Sequence, residues 1–240
     1  ERISHRLQQH SHTTVLEVDL RAMVNNINYF RSQIGSSTQL VAMVKASSYG
    51  AGEEEVARLL QKQGVAYLAV AFADEGVALR ESGVTMPIVV LNADDASFDT
   101  MVSHRLEPEI YSLRSLASFV AAVERVGESN YPIHLKIDSG MHRLGFAESD
   151  IESLNSKLAS EAKSVRIASI FTHLCVEQTV GILACMGITA QQFNIVVGFG
   201  ILHEAVVGID QFVGRSGMLH NNLCVRQCRC LVIHVEIDLH

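Results

Sequence analysis

The sequence predicts an α/β protein built on a parallel sheet, with a closed (β/α)8 barrel favoured over an open one. Three observations carry this. Short β-branched runs alternate with longer amphipathic runs from Thr14 to His173, the pattern of right-handed βαβ units. No G-x-G-x-x-G follows the first strand, so a dinucleotide-binding open sheet loses its usual signature. The unusual polar residues fall where strands end and loops begin, which is where barrels carry function.

The elements follow in order. Strands are expected at Val15–Val18, Leu40–Val44, Ala66–Val70, Ile88–Leu91, Ile133–Ile137 and Ile167–Thr172. Between them, Leu20–Arg31, Glu53–Gln63, Glu75–Glu81, Leu113–Arg125 and Ile151–Leu158 repeat apolar residues at helical spacing. At 240 residues, 48% hydrophobic and with three prolines, the chain can bury a core of one large domain.

The net charge of −7 and the lack of a basic block argue against nucleic acid or an anionic membrane as partner. No run of about 18 apolar residues suggests a transmembrane helix, and Glu1–His12 is polar. The expectation is a cytoplasmic protein. All five cysteines (Cys175, Cys185, Cys224, Cys228, Cys230) follow residue 174 and no lysine follows Lys163, a change that fits a diverged or frameshifted tail. His220, Cys224, Cys228, Cys230 and His234 do not have standard zinc spacing, so buried cysteines are preferred to a metal site.

Three segments carry chemistry. Val41-Ala-Met-Val-Lys-Ala-Ser-Ser-Tyr-Gly-Ala-Gly52 sets Lys45 directly after an apolar strand, where a neutral amine could attack a carbonyl and form an imine. Tyr49 offers a hydroxyl, and Gly50 and Gly52 allow close approach to an anion. Leu135-Lys-Ile-Asp-Ser-Gly-Met-His-Arg-Leu-Gly-Phe146 brings Lys136 into an apolar strand and Arg143 into the following loop. The Arg143 fork suits a carboxylate or a phenolate oxygen. Ser169-Ile-Phe-Thr-His173 ends a strand in an imidazole that could stack on a flat heterocycle or satisfy a loop carbonyl. Taken singly, a strand-capping lysine, structural salt bridges and a histidine satisfying a loop carbonyl outweigh the functional readings.

Together these motifs resemble those of alanine racemases, as do Ala69-Val-Ala-Phe-Ala-Asp-Glu-Gly76 and Leu106-Glu-Pro-Glu109. The resemblance covers about residues 13 to 174 and looks closest to the racemase half of bacterial ligase–racemase fusion proteins. It implies a pyridoxal 5'-phosphate-binding (β/α)8 barrel over 13–222, diverged after 174. Residues 1–12 would then be a junction remnant and 223–240 the possible start of a truncated β domain. The family's C-terminal β domain is otherwise missing from this sequence.

The resemblance also implies roles. Lys45 would hold the cofactor as an aldimine and act as one base, and Tyr49 would contact the phosphate. Arg143 would sit near the ring hydroxyl and substrate carboxylate, and His173 at the ring. Lys136 would match a lysine carbamylated in some members. Arg215, in Val213-Gly-Arg-Ser-Gly-Met-Leu-His220, is the candidate to face the pyridine nitrogen. No metal is implied. The activity implied is racemisation of L- and D-alanine, supplying D-alanine for bacterial cell-wall synthesis. The second base in this family is a tyrosine from a partner subunit's C-terminal domain, so a homodimer is an open expectation. Without that tyrosine, a barrel binding the cofactor without turnover is the alternative.

Overall fold

The computed structural model describes residues 16–34, 38–138, 140–173 and the backbone of 196–199. In chain order these form α1 (Leu20–Gln33), β1 (Gln39–Met43), α2 (Lys45–Tyr49), α3 (Glu53–Lys62), β2 (Tyr67–Val70), α4 (Ala73–Glu81) and β3 (Ile88–Val90). There follow α5 (Phe98–Ser103), β4 (Glu107–Ile110), α6 (Leu113–Val126), β5 (Tyr131–Ile137), α7 (Ile151–Ser160), β6 (Val165–Thr172) and β7 (Val196–Phe199).

Every described strand pairing is parallel, and the order across the sheet is β6-β5-β4-β3-β2-β1-β7. Strands one to six sit in chain order without a reversal, and β7 lies along the edge of β1 that β2 leaves open. A doubly wound sheet reverses direction at a switch point. The uninterrupted progression here is the winding of a (β/α) barrel, seven of whose strands lie within the described residues.

Strand periodicity produces two cores. In β1, Leu40 and Ala42 face the helices and join a large cluster with Leu68, Ile88, Leu116, Ile133 and Leu135. Val41 and Met43 point the other way and pack with Ala69 and Val89 in a small inner cluster, flanked by Tyr67 and Leu91. Because both faces of the strands are covered, β1 reads as one apolar run rather than an alternation.

The helices follow local rules. Asp19 caps α1 by accepting from the Arg21 and Ala22 amides at 2.8 and 3.4 Å, as an N-cap carboxylate should. Ser112 caps α6, whose buried Leu116, Phe119, Val120 and Val123 follow i, i+3, i+4, i+7 spacing. Phe119 is fully buried and meets Phe98 and Tyr131 edge-to-face at 5.1 and 5.4 Å. Phe119→Ala should therefore cost about 3–5 kcal/mol of stability. The urea midpoint measures it, and a change below about 1 kcal/mol would contradict this packing.

Two expectations need correction. Residues 16–18 form no strand: Leu16 and Val18 are 74% and 36% exposed, and β-branched composition does not make a strand without a ladder to join. Conversely, Glu107–Ile110 is a strand despite two glutamates and a proline. Neighbouring strands on both sides supply its pairing, and its acids face the barrel interior, where the site lies.

Candidate active site

A cavity of about 340 Å³ opens on the inner face of the sheet, where β1, β2, β5 and β6 end. Lys45, Lys136, Arg143 and His173 all line it, with Glu109, His134, Asp138 and Ser169. Apolar walls come from Val41, Met43, Ala69, Val89 and Leu91. Tyr49 does not line the cavity. It is 45% exposed, with Lys45 Nζ 5.9 Å from its ring centroid. Arg215 and the cysteine-rich tail lie outside the described residues, as do 1–12 and 223–240.

The backbone after Lys45 is unusual. Ala46, Ser47, Ser48 and Tyr49 all have φ between 51° and 56°, a left-handed turn made without glycine. Each such residue costs roughly 1–2 kcal/mol, so surrounding structure must hold the turn. Glu75 does so from the start of α4. Its carboxylate accepts from the amides of Ala46 at 2.7 Å, Ala71 at 2.6 Å and Phe72 at 3.1 Å. Three charge-assisted bonds tie the lysine's rim to the end of β2.

The loop after β5 is stapled in a similar way. Asp138 accepts from the amides of Gly140 and His142 at 3.0 and 2.9 Å, and pairs with His142 Nδ1 at 3.0 Å. Burial opposes charging Asp138, but these bonds outweigh it and hold the carboxyl below its ordinary range. Phe146 then folds back, donating to the Lys136 carbonyl at 2.8 Å and accepting from the Asp138 amide at 3.0 Å. Arg143 is carried on this loop over the cavity.

Sequence reasoning missed the polar chain on the barrel's inner face. His134 Nε2 pairs with Glu107 at 2.7 Å, its Nδ1 meets Ser169 Oγ at 2.7 Å, and its ring stands edge-on to Tyr67 at 5.4 Å. Glu109 is 2% exposed, and Lys136 Nζ lies 3.8 Å from its Oε2. The signal was available: Glu107 and Glu109, and His134, Lys136 and Asp138, are spaced two apart, so each set shares one strand face.

Burial pushes the Glu109 carboxyl up to about 7, although Lys136 and Arg143 pull it down. Folding therefore favours a protonated Glu109, while the unfolded chain loses that proton near 4.5. This contribution to stability is full below about pH 4.5 and is lost as pH rises to about 7, on the order of 3 kcal/mol. In E109Q the stability curve from urea unfolding should be flatter across that window. An unchanged slope would count against the burial of the acid.

A parallel barrel with a lysine at the rim, cationic side chains lining the cavity and apolar inner walls defines a small-ligand site. Comparison with known proteins makes the family explicit. The family model described as "Alanine racemase, N-terminal domain" matches residues 18–197, and the chain belongs to that family. An alanine racemase of Synechocystis is 34% identical over 161 residues, 66% of this chain and 43% of that protein. One from Methanococcus maripaludis is 35% identical over 166 residues, 68% of this chain and 44% of its own length. The chain thus spans less than half the length of these relatives. Among solved structures, the Enterococcus faecalis alanine racemase superposes with a TM-score of 0.65 at 28% identity, over 75% of this chain and 52% of that one. The Clostridium difficile 630 enzyme gives 0.64 at 28%, over 75% and 49%. Among the described residues no helix is long and apolar enough to cross a membrane.

Proposed function

We propose that this chain is the cofactor-binding barrel of an alanine racemase, interconverting L- and D-alanine with pyridoxal 5'-phosphate held at Lys45. One observation carries the reading: Lys45, Lys136, Arg143 and His173, distant in sequence, line one cavity of about 340 Å³. The residues present fit the cofactor. The volume lies in the range of small-ligand sites, roughly 300–1,000 Å³, and the walls are mainly apolar with a few polar groups.

Lys45 would hold the aldehyde carbon, His173 would lie against the ring, and the exposed Tyr49, four residues after Lys45, would reach the phosphate. When bound, the cofactor delocalises the electron pair left by removal of an α-proton. The Lys45 amine takes or returns that proton on its own face. Arg143 binds the alanine carboxylate through its planar fork, and Val41, Met43, Ala69 and Val89 keep water from the reacting carbon. A cytoplasmic location and supply of D-alanine to the cell wall belong to the same reading, as does pairing into a homodimer.

The test is to add pyridoxal phosphate to the purified chain, reduce with borohydride and map the labelled peptide. Label on the peptide containing Lys45 is expected; label elsewhere, or none, overturns the reading. Chiral analysis of alanine then separates an enzyme from a barrel that binds the cofactor without turnover.

A further inference from the structure

We propose that Glu75 is a positioning residue for Lys45: its carboxylate carries the β1–β2 ladder past the strand end and fixes the direction of the lysine stem. The inference rests on the proposed reading of the cavity and adds to it a residue from the neighbouring βα unit.

Lys45 is pinned through the peptides on either side of it. The Val44 amide donates to the Ala69 carbonyl at 2.8 Å, joining the end of β1 to β2. In a parallel ladder every second amide faces the same neighbour, and the next one is that of Ala46. By that point the chain after β2 is turning into α4, and a side chain takes the carbonyl's place: Ala46 donates to Glu75 Oε1 at 2.7 Å. Both donors that flank Lys45 thus bond to one unit, β2 and the first turn of α4. Past them, Ala46, Ser47, Ser48 and Tyr49 hold φ between 51° and 56°, a conformation that residues with a Cβ leave when nothing restrains them. Condensation with an aldehyde joins the lysine nitrogen to the carbonyl carbon and expels water. It gains from an amine already aimed at one point, and a relaxed turn would forfeit that gain.

Glu75 has a second task, and the two fall on different oxygens. Its Oε2 accepts from the Ala71 and Phe72 amides at 2.6 and 3.1 Å, which caps α4. In E75Q the remaining carbonyl oxygen belongs where two donors wait, and the new NH2 group then faces the Ala46 amide, donor against donor. The cap survives and the rim bond is lost.

The test titrates pyridoxal phosphate into the unaltered chain and E75Q. Imine absorbance gives the binding constant, borohydride-fixed label gives the site, and urea unfolding without cofactor gives the stability. E75Q is expected to bind more weakly by about tenfold or more, with the label still on Lys45 and a urea midpoint close to that of the unaltered chain. An equal binding constant overturns the proposal at any stability, because Glu75 would then serve α4 alone. If E75Q does not fold, E75D replaces it: the stem, one methylene shorter, keeps the nearby Ala71 and Phe72 amides and falls short of Ala46. The same weakening is expected there, and its absence is equally decisive. Missing label on Lys45 of the unaltered chain sinks the proposed function; label there with no difference between the chains sinks this inference alone.

Discussion

Lys45→Ala is expected to abolish borohydride-fixed labelling by pyridoxal phosphate entirely, with no second lysine taking over. The geometry leaves little alternative. Among the described lysines, Lys45 and Lys136 line the cavity, and Lys136 is engaged with Glu109 and the Phe171 ring. The fold should survive the change. The rim turn is held by Glu75 through the backbone amides of Ala46, Ala71 and Phe72, none of which needs the Lys45 side chain. Stability should therefore move by no more than about 1 kcal/mol. Full labelling of the variant would remove Lys45 from the site. A variant that loses both label and fold would instead assign Lys45 a structural part.

Gly145→Ala is expected to remove the Arg143 loop from its place. A Cβ built at Gly145 would stand 2.4 Å from the Asp138 amide nitrogen and 2.7 Å from the Ile137 carbonyl carbon. Both are backbone atoms at the end of β5, so no side chain can swing aside. The φ of +132° adds strain for any L side chain. Relief requires the re-entrant segment to lift, breaking the paired bonds between Phe146 and the end of β5. The expected cost is about 2–4 kcal/mol, with labelling of Lys45 retained but affinity for alanine lowered at least tenfold, since Arg143 no longer faces the cavity. Urea unfolding and substrate titration measure the two effects. Unchanged affinity would show that Arg143 does not need this loop.

Local rules were legible along much of the chain. The amphipathic runs became α1, α3, α4, α6 and α7 with ends within a few residues, because spacing and caps act over a single turn. Lys45, Arg143 and His173 could be singled out because each ends or follows an apolar strand. Glu107–Ile110 was not legible as a strand because glutamate and proline are poor strand formers, and only an interior face with partners for the acids makes them acceptable. The left-handed turn after Lys45 was equally hidden, since no glycine marks Ala46–Tyr49 and its support comes from Glu75, on another βα unit.

What the residues determined unaided was the alternation of strands with helices, the apolar faces and the cationic character of the site. That follows from period, burial tendency and charge, which each residue carries with it. Tertiary structure decided which polar groups meet. Glu109 finds Lys136, and Glu107 finds His134, only because parallel pairing aligns β4 with β5, and the strength of a buried charge pair depends on a separation that no local pattern encodes.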